Sequence, residues 1–260
     1  MEDAARGQRL RLSCNRTLVI DLLHYDRQAP MVAHDRVCDL SRLAERRERA
    51  SRRVSWSILF LKAYALTARE FPPLRQCLLR WPWTHLYEHP HSVAMLAVNR
   101  EFEGEERLCW ARFHRPEEQP LAAMQQALDE RYKSQPVEKV FRRQVLLSRL
   151  PTPFRRLAWW ATRNLSGPRR AKRLGTFGLT TIAAQGAEIR RPPSPLTTTL
   201  TYGPLDEANR CRVTIAYDHR IMDGALIGRA LARLEDVLRG PIAEELWTPR
   251  AAPSTAEQAA

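Results

Sequence analysis

Arg212-Val213-Thr214-Ile215-Ala216-Tyr217-Asp218-His219-Arg220-Ile221-Met222-Asp223-Gly224-Ala225 is the stretch on which the fold turns. Val213, Ile215 and Tyr217 alternate with Thr214 and Ala216, the period-two pattern of a strand. A helix follows Gly224, with Leu226, Ile227, Ala230, Leu231, Leu234 and Leu238 on its apolar face and Gly240-Pro241 expected as its stop. His219 then falls at a sharp turn between strand and helix, where a side chain is held rigidly and still reaches a ligand. Imidazole titrates near neutral pH, so a neutral His219 can take a proton from a thiol, hydroxyl or amine as that group attacks a carbonyl. Asp223, four residues on, can fix the geometry of the turn by hydrogen bonding or ion pairing. On spacing alone, a histidine that merely caps the turn fits equally well.

Outward from this site, strands are predicted at Gly175–Ile182 and Leu196–Tyr202, and earlier at His91–Val98 and Leu108–Phe113. The branched run Thr17–Leu22 also reads as a strand. Asp39 suits the N-cap of a charged helix with Leu40, Leu43 and Ala44 on one side, and Ser57–Glu70 reads as a core helix stopped by Pro72-Pro73. Pro120 opens a helix carrying Leu121, Met124, Ala127 and Leu128. Between Glu138 and Leu174, arginines and lysines face one acidic residue and alternate with Phe141, Phe154, Leu157, Trp159 and Trp160, a basic amphipathic insertion. The expected organisation is a flexible arm over 1–17, one α/β catalytic domain over 18–248 containing the insertion 138–174, and a disordered Ala/Pro/Ser-rich tail over 249–260.

Composition narrows the function. The longest apolar run, Trp56–Leu66, contains Lys62 and falls short of the roughly 20 residues that cross a bilayer. Without an apolar leader near the N-terminus, a cytoplasmic location is expected. Five scattered cysteines fit neither a disulfide framework nor a zinc site, and prolines break the ligand face that His85, His89 and His91 would need, so no metal is expected. The net charge of +13 attracts anionic partners: phosphorylated cofactors, acidic carrier proteins or anionic membranes. Nucleic acid is disfavoured because no recognised binding signature accompanies the charge.

Asp218-His219-Arg220-Ile221-Met222-Asp223-Gly224 resembles the Asp-His-Arg-x-x-Asp-Gly signature of the acyltransferase subunits of 2-oxo-acid dehydrogenase complexes, and the related His-His-x-x-x-Asp-Gly signature of chloramphenicol acetyltransferases. Val54–Leu66 followed by Glu70-Phe71-Pro72 resembles that superfamily's apolar helix and Phe-Pro turn. Ile20-Asp21-Leu22-Leu23-His24-Tyr25-Asp26-Arg27 is similar to a chloramphenicol acetyltransferase segment whose final arginine binds the signature aspartate. Gly175-Thr176-Phe177-Gly178-Leu179-Thr180 is similar to a Gly-x-Phe-Thr-Ile-Ser segment of the dehydrogenase subunits.

The resemblance implies a chloramphenicol acetyltransferase-like fold, a mixed sheet flanked by helices and assembled as a homotrimer. It implies His219 as general base, Thr180 from a neighbouring subunit as oxyanion stabiliser, and Asp223, Arg27 and Gly224 as structural support, with Arg27 paired to Asp223. The implied co-substrate is a coenzyme A thioester or the phosphopantetheine of an acyl carrier protein. The chain is expected to stand alone, without the lipoyl domain of the dehydrogenase subunits. For the insertion, three roles stay open: a solvated helix packed by its aromatic side, an anionic membrane surface contact, or carrier-protein docking. A non-catalytic trimeric scaffold that kept the fold is the alternative to an enzyme.

Overall fold

The computed structural model describes residues 7–9 and 12–247, so the expected tail 249–260 and the first six residues of the arm lie outside the described residues. The chain enters as helix α1 (Cys14–Asp26), not as the strand predicted over Thr17–Leu22. Ser13 accepts a hydrogen bond from the Arg16 amide and starts the helix inside the expected arm. Leu18, Asp21, Leu22, Tyr25 and Asp26 are buried while Ile20 and Leu23 are exposed, a three-to-four residue period that a run of six residues was too short to show.

Strand β1 (Met31–Asp39) and helices α2 (Ser41–Arg49) and α3 (Trp56–Glu70) follow. The N-cap of α2 is Leu40, not the expected Asp39, which ends β1 and whose Oδ1 accepts from the Ser41 amide and hydroxyl. Helix α3 is buried almost all round, with Ile58, Leu59, Phe60, Leu61 and Tyr64 excluded from solvent. It ends at Pro72-Pro73 as expected, in a short 3-10 turn. A small hairpin, β2 (Gln76–Leu79) with β3 (His85–Glu88), precedes β4 (Val93–Phe102) and β5 (Glu105–His114). Helix α4 (Leu121–Gln126) opens after Pro120 and relaxes into a π-helical turn over Ala127–Lys133. Helices α5 (Val137–Val140), α6 (Arg142–Arg149), α7 (Thr152–Asn164) and α8 (Gly167–Leu174) occupy the basic stretch. The chain closes with β6 (Phe177–Leu179), β7 (Thr198–Leu205), β8 (Arg210–Asp218), α9 (Gly224–Val237) and α10 (Ala243–Leu246). Gly240-Pro241 does not end the helical path: the backbone loosens into a π-helical turn over Leu238–Ile242 and continues into α10.

Six strands form one mixed sheet in the order β1-β8-β7-β6-β4-β5. Strand β6 runs parallel to both neighbours and the other pairs are antiparallel. Helix α3 packs on the middle of the sheet, where the Tyr64 hydroxyl donates to Thr198 Oγ1 at 2.7 Å and Phe60 stacks on Tyr202 at 4.4 Å. Helix α9 covers β1 and β8, tied there by Glu235, which accepts from Arg36 Nε at 2.7 Å and from the Asp39 amide at 2.9 Å. Cys38, Cys77, Cys109 and Cys211 are free and buried, and burial pushes the thiols of Cys38 and Cys211 up to about 12, which makes them inert apolar filling. No described helix is long and apolar enough to cross a membrane.

The basic stretch is built the other way round from a solvated helix packed by its aromatic side. On α7, Arg155 and Arg163 point inward while Phe154, Leu157 and Trp160 are exposed, and only Trp159 among its aromatic residues is buried. Trp159 stacks on Tyr25 of α1, and Arg155 forms an ion pair with Asp21, both groups almost fully buried. Arg156 flanks the same carboxylate at 3.8 Å. Asp21→Ala leaves Arg155 buried without its counter-charge, so a loss of about 3–5 kcal/mol in urea unfolding is expected. An unchanged midpoint contradicts the pairing.

A second stability prediction concerns His89. Burial first, then the nearby guanidiniums of Arg170 and Arg75, pushes its imidazole down to about 4, and its Nε2 is buried without a partner. The folded value lies below the roughly 6.5 of a free imidazole, so the unfolded chain takes up the proton first. Stability is therefore full above pH ~6.5 and falls as the pH drops toward 4. Between pH 7 and 4, His89→Gln is expected to lose about 3 kcal/mol less than the parent chain in denaturant titrations.

Candidate active site

His219 is positioned by strand pairing on both sides of β8. Met31–Asp39 runs antiparallel along one edge of Arg210–Asp218, and β7 runs antiparallel along the other. At the strand end, the Asp218 amide donates to Thr197 O at 2.9 Å and the His219 amide to Pro30 O at 3.2 Å. The turn is then closed by Asp218 itself. Its buried carboxylate accepts from the Arg220 amide at 3.1 Å, from Arg220 Nε at 2.9 Å and from Nη2 at 2.6 Å, while the Ile221 amide returns to Asp218 O. This bidentate pair fixes the two residues that flank the imidazole.

The His219 side chain is half exposed and lies on the face that carries Tyr217, with ring centroids 5.7 Å apart. His34, on the neighbouring strand β1, sits on the other side of Tyr217 at 5.6 Å. Gly224 opens α9 directly above: a Cβ there would stand 3.0 Å from His34 Nε2 and 3.6 Å from the Tyr217 hydroxyl, so glycine admits the His34 ring under the helix. The Tyr217 hydroxyl is buried without a hydrogen-bond partner, and desolvation followed by the charge of Asp223 raises its pKa. Two imidazoles and a phenol thus converge under the start of α9. The convergence of His34 was not legible in the sequence, because His34 and His219 are far apart in the chain and Val32-Ala33-His34-Asp35-Arg36-Val37 has the charged character of an edge strand.

The other expected residues are placed as follows. Asp223 ends at the N-terminus of α9 with its carboxylate 85% exposed, and Oδ1 is 3.7 Å from His219 Nδ1, beyond a hydrogen bond. Arg27 is the C-cap of α1, its side chain exposed, and it forms no ion pair with Asp223 among the described residues. Thr180 immediately follows β6, partly buried, its amide donating to Leu200 O at 3.2 Å and its hydroxyl without a partner among the described residues. The turn that feeds β6 depends on Gly175, at φ +86°, where a Cβ would come within 2.8 Å of Val93 O.

Register measures the separation of Thr180 from His219. Phe177, Thr198 and Tyr217 form one row across β6, β7 and β8, and Leu179, Leu200 and Ile215 form another. Thr180 therefore lies level with Thr214, five residues from His219 along β8 and two strands away. At about 3.3 Å per residue and about 4.8 Å per strand, the two backbone positions stand roughly 19 Å apart in one chain. A single chain does not bring them together.

No group of three or more His, Cys, Asp or Glu side chains placed to hold a metal ion occurs among the described residues. No protein-family model matches the sequence, and no curated protein matches it. Solved structures do. A probable dihydrolipoamide acetyltransferase from Listeria monocytogenes superposes with a TM-score of 0.66 at 15% identity, over 96% of this chain and 99% of that one. The dihydrolipoamide acetyltransferase of Azotobacter vinelandii gives 0.66 at 16% identity, over 92% and 94%. A truncated catalytic core of the 2-oxoacid dehydrogenase multienzyme complex from Thermoplasma acidophilum gives 0.66 at 13% identity, over 90% and 99%. The chain has the fold of these catalytic cores across nearly its whole length.

Because Asp218 holds the turn through three hydrogen bonds to Arg220, replacing it with Asn removes the charge from them. Asp218→Asn is expected to lower stability by about 1.5–3 kcal/mol in denaturant unfolding. An effect below about 0.5 kcal/mol would show that the turn is held by backbone pairing alone.

Proposed function

We propose that the chain is an acyltransferase in which His219 removes the proton of an attacking thiol, hydroxyl or amine and Thr180 of an adjacent copy stabilises the oxyanion. The observation that carries this reading is the half-exposed imidazole on a turn pinned by strand pairing and by Asp218–Arg220, in the fold of acetyltransferase cores. With Nδ1 turned toward Asp223, Nε2 is left to accept the proton. The acceptor then bonds to the thioester carbonyl carbon, and the carbonyl electrons move onto oxygen. As the tetrahedral adduct collapses, the carbon–sulfur bond breaks and the leaving thiolate regains the proton from the imidazolium. No covalent enzyme intermediate is needed.

The roughly 19 Å that separates Thr180 from His219 within one chain calls for a second copy. A cyclic assembly of identical chains, a homotrimer, supplies each imidazole with the hydroxyl of the next chain. The Azotobacter vinelandii enzyme gives support: its structure was studied for the roles of a serine, a histidine and an asparagine in its mechanism, the asparagine four residues after the histidine. Thr180 offers a hydroxyl, and His219 and Asp223 offer the imidazole and a polar side chain at that same four-residue spacing. The donor is an acyl-coenzyme A, whose phosphates suit the +13 charge, or the phosphopantetheine thioester of an acidic carrier protein.

Thiol release from short-chain acyl-coenzyme A donors tests the assignment. His219→Ala is expected to lower kcat by about 10²–10⁴-fold. Thr180→Val, which keeps the shape and removes the hydroxyl, is expected to lower it by about 10²–10³-fold with little change in KM. Equal rates in the parent chain and His219→Ala would instead favour a scaffold that keeps the fold without the reaction.

A further inference from the structure

Behind the catalytic turn, on the side of β8 away from Tyr217, a narrow cleft is lined by Arg80, Arg163, Arg170 and Arg220 together with Asn164 and Asp218. Its charge is unbalanced. Four guanidiniums face one carboxylate, and that carboxylate is already committed to Arg220. Arg163 is 9% exposed and Arg170 5%, and neither forms an ion pair among the described residues. Each hydrogen-bonds only to neutral groups, with the Asp218 carboxylate acting on Arg170 through charge alone: Arg163 Nη1 donates to Tyr25 O and its guanidinium lies 5.1 Å over the Tyr25 ring, while Arg170 Nη1 donates to Leu78 O and Arg163 O. Arg80, at the mouth, has no partner among the described residues.

Burying two guanidiniums side by side with no carboxylate of their own is unfavourable in an isolated chain, because desolvation and mutual repulsion add. The strain shows at Arg163, which burial, then Arg170 and Arg80, pushes down to about 10. Such an arrangement persists without conflict when an anion completes it. The geometry points to a phosphate-binding site formed by Arg80, Arg163, Arg170 and Arg220. Phosphate fits better than a carboxylate, since a tetrahedral dianion accepts from several guanidiniums at once. Gln28, Leu78, Pro195 and Leu196 complete its wall. Among the described residues no aromatic side chain lines it to stack a base.

The phosphate has two sources, free inorganic phosphate or the 3′-phosphate of a coenzyme A donor, and binding separates them without reference to turnover. Thermal unfolding of the full chain is followed against inorganic phosphate, with chloride at matched ionic strength as reference. A saturable rise in Tm is expected in the parent chain, with the half-saturating concentration raised about tenfold or more in Arg163→Gln and Arg80→Gln. Arg80 is exposed, so its variant keeps the test available if Arg163→Gln folds poorly. Competition of phosphate with coenzyme A and not with dephospho-coenzyme A identifies the donor as the source, and absence of competition from either identifies free phosphate. A rise no larger than chloride gives, or one unaltered in both variants, overturns the site. These readouts do not depend on His219, so failure here leaves the acyltransferase reading standing, and an inactive enzyme that still binds phosphate leaves the site standing.

Discussion

Strand β8 is hydrogen-bonded along both edges, and its last residue is locked to the residue two further on by a buried carboxylate–guanidinium pair. Everything proposed for the site depends on that constraint. A histidine on a free loop would sample many rotamers and lose its reach to a reacting atom. Here the backbone entering the turn is paired to Thr197 and Pro30, so only the side chain of His219 retains freedom. The same ladder fixes where β1 lies, which delivers His34 beneath Gly224, and where β6 lies, which carries Thr180 two strands away and level with Thr214.

Much of this was readable from the residues, and the failures have physical causes. The alternation in β8, the all-round apolarity of α3 and the stripe on α9 are tertiary burial written directly into letters, so element type and order around His219 are as the pattern implies. The run Thr17–Leu22 misled because branched residues favour strands locally, while the cap at Ser13, the burial of Leu18 and Leu22 and the stacking of Tyr25 on Trp159 of α7 favour a helix. Strand β1 left no apolar alternation because it lies at the sheet edge and carries His34, Asp35 and Arg36. Gly240-Pro241 was read as a stop, yet a π-helical turn absorbs the missing amide and the path continues to α10.

The basic stretch 138–174 is the clearest case in which composition and placement part. Counting charges suggests a solvated surface, but Arg155, Arg163 and Arg170 face inward and Phe154, Leu157 and Trp160 face out. A charge turned inward needs a counter-charge. Asp21 supplies it for Arg155, and the cleft behind Asp218 is where Arg163 and Arg170 lack one. The segment therefore reaches the reverse side of the His219 turn, where Arg163 and Arg170 line one cleft with Asp218 and Arg220.

The central claim is that each reaction centre is shared between two copies of the chain. Co-expressing His219→Ala chains with Thr180→Val chains and assaying the mixed assemblies tests it directly. In a randomly mixed cyclic trimer, a site with both groups intact arises wherever an intact imidazole meets an intact hydroxyl across an interface, so about a quarter of parental activity should return. Activity that stays at the level of the separate variants, in assemblies shown to contain both chains, would contradict the shared site.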